Sequence, residues 1–155
     1  MARRTRRRPS KPIAPYKSRY EFDIATNLKR QKVKFKYEDP DWIVPYYKNA
    51  SKASCLDCGS DNVGILGHYT PDFILDNGVI IEGKGRFVAA DRKKILSVLE
   101  CNNDITRDVF RMLFMQNRKL SPRSRKYYGD WCDDHNITWA IGPEVPKEWL
   151  HTTKI

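Results

Sequence analysis

Residues 69–84 read YTPDFILDNGVIIEGK, and this stretch decides the fold. Two mostly apolar runs, 69–75 and 79–84, flank the turn-forming pair Asn77-Gly78. An Asn-Gly pair between apolar runs is the strongest short-range signal for a β-hairpin, because both residues accept positive φ values. The stretch therefore predicts two antiparallel strands joined by a tight turn.

The length of the loop decides which residues of this hairpin face each other. A two-residue loop would pair Asp72 with Gly83, which places Asp72 and Glu82 on opposite faces. A three-residue loop, beginning at Asp76, would pair Asp72 with Glu82 on the same face and put Gly78 in a left-handed conformation. The two loops are therefore distinguished by whether the two acids converge.

Three charged side chains in these apolar strands suggest chemistry. Asp72, Glu82 and Lys84 would be costly to bury unless they pair or bind a cation. Two converging carboxylates can hold Mg²⁺ through oxygen, and the ion can polarise a phosphate and activate water. A nearby lysine can orient or activate that water, or offset phosphoryl charge. This pattern, together with the three-residue loop, predicts a divalent-metal phosphodiesterase, whereas the simpler interpretation is an ordinary hairpin with a surface ion pair.

Elements on both sides of the hairpin alternate between helix and strand. The patterns predict helices from Ser18, over 90–101 and near 124–135, and strands over 33–38, 42–47, 108–115 and 137–141. Pro45 places the 42–47 strand at the edge or end of a sheet. The sequence therefore predicts an α/β domain around a mixed sheet.

Charge is distributed unevenly along the 155 residues. Lys and Arg number 29 against 19 Asp and Glu, and residues 1–19 hold eight basic side chains and no acid. We therefore expect a disordered basic arm over 1–17, then a single domain over 18–155 with a polar insertion near 48–67. No run approaches the roughly 18 apolar residues of a membrane span, and we expect no membrane partner.

Basic residues also follow the hairpin. Most charge runs are solvated surfaces, but phosphate contact is the functional interpretation of these. The candidate DNA-binding residues are Arg86, Arg92, Lys93, Lys94, Arg123, Arg125 and Lys126.

Cys55-x-x-Cys58 has half the ligand spacing of a structural zinc site. Such a site needs two further ligands, and no second Cys-x-x-Cys pair exists in the chain. A Zn²⁺ shared across a dimer is one way to complete it. Reduced thiols without metal are the alternative.

The order of these motifs resembles that of one known family. Tyr69-Thr-Pro-Asp-Phe, Asn77-Gly78, Glu82-Gly-Lys84 and Asp91-Arg-Lys-Lys94 resemble the phage T7 endonuclease I family, Holliday-junction resolvases of the PD-(D/E)xK nuclease superfamily. The likeness covers most of the chain, from Ser18 to Trp149. It implies a restriction-endonuclease-like mixed β-sheet core flanked by helices. It also implies a domain-swapped homodimer that cuts branched DNA with Mg²⁺ or Mn²⁺.

The resemblance also implies roles for individual residues. Asp72 and Glu82 would be catalytic metal ligands, Lys84 the catalytic lysine, and Glu21 an acid contributed to the metal site by the first helix. Ser18-x-x-Glu21 is also a capping-box pattern, which explains Glu21 without catalysis.

This chain departs from the family pattern in the strand after the first helix. The family has another functional acid there, where this chain has Lys36. Glu38, two residues on, is the possible extra acid because it would share the strand face of Lys36.

The sequence thus predicts a Mg²⁺-dependent, structure-selective endodeoxyribonuclease that resolves branched DNA by phosphodiester hydrolysis as a homodimer. Its expected location is the cytoplasm, that of an infected host cell if the chain is phage-encoded. Two alternatives stay open: a non-catalytic DNA-binding or zinc-linked adaptor, and a PD-(D/E)xK nuclease that acts on linear DNA.

Overall fold

The computed structural model describes residues 11–48 and 66–151. Its elements in chain order are α1 (Arg19–Arg30), β1 (Phe35–Tyr37), β2 (Val44–Tyr47), β3 (Leu66–Tyr69), β4 (Phe73–Leu75), β5 (Ile80–Lys84), α2 (Ala89–Cys101), β6 (Phe110–Phe114), α3 (Tyr128–Asp134), β7 (Thr138–Ile141) and α4 (Lys147–Leu150). The alternation of helices and strands confirms the α/β class.

Five strands form one mixed sheet in the order β1-β4-β5-β6-β7. The pairs β1–β4 and β4–β5 are antiparallel, whereas β5–β6 and β6–β7 are parallel. Strands β2 and β3 form a separate antiparallel pair, here called the β2–β3 ribbon. The predicted mixed sheet is confirmed, and Pro45 lies in the ribbon, outside the five-stranded sheet.

Each face of the five-stranded sheet carries its own apolar core, because side chains alternate along a strand. On the face covered by α2, called the α2 face, Ile80, Met112 and Phe114 pack with Ile95 and Val98 of the helix. The opposite α1 face has its own cluster. Its members include Phe73, Leu75, Ile81 and Leu113 of the sheet and Ile24 and Leu28 of α1. Each such buried side chain contributes about 1.5–3 kcal/mol.

The hairpin between β4 and β5 has the three-residue loop. The Leu75 N–H donates to the Val79 carbonyl at 2.9 Å, and Phe73 pairs with Ile81. Gly78 has φ 88°, a left-handed value that favours glycine. Continued by one residue, this register puts Asp72 opposite Glu82, which confirms the predicted convergence.

The expectation of one continuous strand from Tyr69 to Leu75 is wrong. Tyr69 ends β3 and pairs with Val44 in the ribbon, whereas Phe73 begins β4 in the larger sheet. Pro71 stands between them and has no N–H for a strand ladder. The chain therefore changes sheets immediately before Asp72.

The helix expected near 124–135 is shorter than its pattern suggested. It begins at Tyr128, because the preceding basic segment turns back on itself. There the Leu120 N–H donates to the Lys126 carbonyl at 3.0 Å, and Lys119 pairs with Tyr127.

The described part of the chain includes the last residues of the segment that the sequence assigned to a basic arm. Tyr16 is buried and makes edge-to-face contacts with Phe22 and Tyr37. The first ten residues and most of the 48–67 segment lie outside the described residues. Among the residues described, none of the helices has the length and apolar character of a membrane span.

Candidate active site

Asp72, Glu82 and Lys84 meet on the α2 face, where β4 begins and β5 ends. Asp72 accepts a hydrogen bond through Oδ2 from the Gly83 N–H at 2.9 Å. Glu82 is buried, and its Oε1 lies 3.3 Å from Lys84 Nζ. The structure therefore brings together the three residues that the hairpin pattern singled out.

Alternation along β5 explains why these side chains share a face. Glu82 and Lys84 follow Ile80 on the α2 face, whereas Ile81 and Gly83 point toward α1. A Cβ atom on Gly83 would lie 2.8 Å from Ile24 Cδ1. A larger residue at 83 would therefore require the Ile24 side chain to shift.

Burial and like charge act together on Asp72. Burial raises the pKa of Asp72 well above its usual range, and the charges of Glu82 and Glu21 raise it further. The Gly83 N–H and the Lys84 ammonium act in the opposite direction. A proton or a bound cation lowers the cost of burying two neighbouring carboxylates.

Lys84 is a cation at this site. Burial lowers its pKa, but the carboxylates of Glu82, Asp91 and Asp72 outweigh burial and raise the pKa above its ordinary value. Lys84 therefore keeps its proton at neutral pH in the protein without ligands. It can balance negative charge or donate a proton.

Asp91 is a neighbour of the site that the sequence motifs included without assigning it a role. Its Oδ1 lies 3.5 Å from Lys84 Nζ, and its Oδ2 accepts a hydrogen bond from the Val88 N–H at 3.0 Å. Asp91 thus ties the first turn of α2 to the lysine. The available signal was its place three residues after Val88, where an acid caps a helix N-terminus.

Glu21 lies at the start of α1 and makes the contacts of a helix cap. The Ser18 Oγ accepts a hydrogen bond from the Glu21 N–H at 3.1 Å and donates to Glu21 Oε1 at 2.9 Å. The Lys17 N–H and the Tyr37 hydroxyl both donate to Oε2. The capping pattern is confirmed, and metal contact by Glu21 stays a prediction that requires some of these bonds to be exchanged.

Glu38 lies just beyond the end of β1, with φ 41°. This left-handed value ends the strand alternation at Tyr37. Strand alternation therefore does not place Glu38 on the face of Lys36, as the sequence pattern had suggested. The Glu38 N–H donates to the Asp72 carbonyl at 3.0 Å, and its carboxylate forms an ion pair with Lys17. Lys36 pairs with Asp39 at 2.7 Å. A role for Glu38 as the extra acid stays a prediction.

Tyr69 was quoted among the sequence motifs but not assigned to the site. Its hydroxyl donates to Glu82 Oε2 at 2.6 Å, and the residue is 1% exposed. Burial and the charges of Glu82 and Asp72 raise the pKa of Tyr69 well above its ordinary value, so the hydroxyl keeps its proton. A buried tyrosine hydroxyl needs a hydrogen-bond partner, and this rule is what could have indicated a contact between Tyr69 and a nearby acid.

The candidate DNA-binding residues divide into two groups. The first is exposed and comprises Arg86, Lys93, Arg123 and Arg125. The second makes contacts within the protein, although Lys126 is exposed as well: Arg92 donates to the Phe87 carbonyl at 2.8 Å, Lys94 lies over the rings of Tyr69 and Tyr46, and Lys126 pairs with Asp134. The exposed group is therefore the more accessible to phosphates.

Among the described residues, the metal-ligand candidates form a pair and not a larger group. Over residues 11–48 and 66–151, His, Cys, Asp and Glu side chains form no group of three or more that could hold a metal ion. Asp72 and Glu82 are a pair of oxygen donors. Cys55 and Cys58 lie outside the described residues.

A mixed α/β sheet whose central hairpin places two acids and a lysine on one face has the residue types expected of the nuclease class of protein. Comparison with known sequences places the chain within that class. It belongs to the family described as Phage endonuclease I, which matches residues 1–155.

Two relatives extend this comparison. Endonuclease I of Escherichia phage T7 is 32% identical over 143 residues, which cover 92% of this chain and 83% of the relative. Endodeoxyribonuclease 1 of Enterobacteria phage T3 is 34% identical over 140 residues, which cover 86% of this chain and 80% of the relative.

Proposed function

We propose that this chain is a Mg²⁺-dependent endodeoxyribonuclease that cuts branched DNA as a homodimer. DNA cleavage is supported by its family and by the names of its two phage relatives. The observation that carries the proposal is the hairpin register, because it aligns Asp72 with Glu82 and leaves Lys84 beside them. An infected cell's cytoplasm is the expected location.

The donor set fits a divalent cation of the Mg²⁺ type. Mg²⁺ is usually held by one or two carboxylates, and waters and substrate phosphates complete its shell. Asp72 and Glu82 supply the two carboxylates. Burial and the charge of Glu82 raise the pKa of Asp72, and a cation would relieve both effects. Glu21 would be a third ligand. When bound, the ion would polarise the phosphate and lower the pKa of water.

The protein's own groups have separate tasks in this proposal. Hydrolysis joins a water oxygen to phosphorus and breaks one P–O ester bond, and the departing oxygen takes a proton. The Lys84 ammonium can offset the charge that develops on the phosphoryl oxygens. The exposed group Arg86, Lys93, Arg123 and Arg125 would hold the DNA backbone, which supplies affinity without reading sequence.

The homodimer is proposed from the chemistry and from the ribbon. Resolving a junction requires two nicks in symmetry-related strands, which suits two centres related by a two-fold axis. On the outer face of the ribbon, Tyr47 and Leu66 are cross-strand partners and are 51% and 55% exposed. Such an apolar pair beside residues 49–65 supports assembly through residues around 38–70.

Incubation with a four-way junction and a matched linear duplex tests the proposal. Each substrate is combined with Mg²⁺, Ca²⁺ or EDTA, and binding and cleavage are measured separately. Junction cleavage that requires Mg²⁺ is the expected result. Binding without cleavage under every condition would favour the adaptor alternative, and equal cutting of linear DNA would favour a nuclease with another role.

A further inference from the structure

Tyr69 connects the ribbon to the acid pair. It ends β3, where it pairs with Val44, and its side chain reaches across to the five-stranded sheet. The hydroxyl donates to Glu82 Oε2 at 2.6 Å, which is the length of a charge-assisted O–H···O⁻ bond. The ring is 1% exposed, so its position is set by packing.

The two oxygens of Glu82 have different partners. Oε2 accepts from Tyr69, whereas Oε1 faces Lys84 Nζ at 3.3 Å. A carboxylate held at one oxygen presents the other in a defined direction. Without the Tyr69 bond, Glu82 could rotate about its last side-chain torsion, which is a soft degree of freedom.

Lys94 adds a second restraint, on the ring of Tyr69. Its ammonium lies 5.2 Å from the centroid of the Tyr69 ring and 5.9 Å from that of Tyr46. Both distances are within the range of a cation–π contact. The ring that orients Glu82 is therefore covered by a cation from α2.

From this geometry we infer that Tyr69 is a positioning residue, which holds the Glu82 carboxylate in the orientation needed for metal binding. The inference rests on the proposed function, because it assigns Glu82 to the metal. Hydrogen-bond donors behind a metal-ligating carboxylate orient it, and their loss typically lowers metal affinity or activity by about 10–100-fold.

The test compares Tyr69→Phe with Tyr20→Phe. Both changes remove one buried hydroxyl, but the Tyr20 hydroxyl donates to the Leu113 carbonyl at 3.2 Å, away from Glu82. Direct Mn²⁺ binding to the DNA-free protein is measured by electron paramagnetic resonance. Junction affinity in Ca²⁺ and the Mg²⁺ concentration for half-maximal cleavage are measured in parallel.

For Tyr69→Phe we expect Mn²⁺ affinity to fall about 10-fold or more, with a matching rise in the Mg²⁺ requirement and unchanged junction affinity. Tyr20→Phe should match the wild type in all three. Wild-type Mn²⁺ affinity in Tyr69→Phe, or an equal loss in both variants, would overturn the inference.

A double-mutant cycle separates orientation from general loss of stability. If Tyr69 acts through Glu82, adding Tyr69→Phe to Glu82→Gln should cause no further loss of Mn²⁺ affinity. Additive losses would contradict the inference. A wild-type protein that binds no Mn²⁺ and cuts no DNA would instead refute the proposed function, so the two failures are distinguishable.

Discussion

Two antiparallel strand pairs, β4–β5 and β2–β3, are held in register by different means. In the first pair a three-residue loop joins the paired residues Leu75 and Val79, and the left-handed Gly78 in that loop sets the alignment locally. β2 and β3 are separated in the chain by residues 48–65, so no short turn can set theirs. The first pair carries the acids, and the second supplies the tyrosine that contacts one of them. The acid pair is aligned by a local turn, but the tyrosine that contacts it is placed by the β2–β3 pairing, which depends on contacts between residues distant in the chain.

Shifting the register of the hairpin should have the largest effect. Deleting Ile74 from β4, with the three-residue loop kept, moves Asp72 from opposite Glu82 to opposite Ile81 and onto the other face. Cleavage should fall to background in a gel assay with a four-way junction.

Asn77→Ala is the matched control for that deletion. It removes the side-chain bonds to the Val79 N–H and the Trp149 carbonyl but keeps the strand register. We expect it to cut DNA with a stability loss of about 1 kcal/mol per bond. Full activity in the deletion variant would show that register does not matter.

Removing the charged side chains of β5 should have the next largest effect. Glu82→Ala and Lys84→Ala should each lower the cleavage rate by about 10²–10³-fold or more, because each removes a group from the reacting centre. Junction affinity in Ca²⁺ should be retained, since phosphate contacts elsewhere supply it. Glu100→Ala, which removes an exposed acid of α2, is the control. Normal cleavage by either β5 variant would refute the assigned site.

Changes on the ribbon should affect assembly more than chemistry. Replacing both Tyr47 and Leu66 by Ser removes the exposed apolar pair and should weaken the dimer by about 10-fold or more in sedimentation equilibrium. Nicked junctions should then accumulate, because one centre acts per encounter. Ile141→Ser, at an exposed apolar position on β7, should leave the dimer unchanged. An unaltered dimer in the double variant would remove the ribbon from the interface.

Asp72→Asn should separate stability from activity. Because the folded-state pKa of Asp72 is raised, the folded protein holds this proton more tightly than the unfolded chain. In EDTA, the free energy of unfolding of the wild type should therefore decrease as pH rises from about 4 through the folded-state pKa. The variant should lack the part of this decrease that ionisation of Asp72 causes.

At neutral pH in EDTA the variant should melt at a higher temperature than the wild type. Each kcal/mol added to the free energy of unfolding raises the melting temperature by roughly 2–4 °C. It should cut no DNA. Calorimetry across pH provides the measurement, and identical melting curves for the two proteins would contradict the raised pKa of Asp72.

Removing the first ten residues should have the smallest effect on the two strand pairs. It should change only the affinity for DNA. This deletion removes five arginines but keeps Tyr16, whose ring is buried. If the arm contacts phosphates, junction affinity should fall and its salt slope should flatten by about 0.9 per lost contact. An unchanged slope in a fluorescence titration would make the arm a passive extension.

The sequence by itself determined the elements that depend on neighbouring residues. The Asn77-Gly78 turn, the Ser18 cap of α1 and the alternation of β5 are local, so turn chemistry and periodicity were sufficient to predict them. Together they were enough to predict the α/β class. The Asn77-Gly78 signal fits either loop length, so the convergence of Asp72 with Glu82 was predicted from the chemistry that the two acids could perform.

Tertiary structure alone decided how distant segments meet. The Tyr69–Leu75 run has the pattern of one strand, and its division between two sheets depends on the separate partners Val44 and Ile81. The Tyr69 hydroxyl on Glu82 and the Asp91 carboxylate beside Lys84 likewise join residues from different elements. No local pattern specifies such contacts, because they depend on where whole strands and helices pack after their own backbone preferences are satisfied.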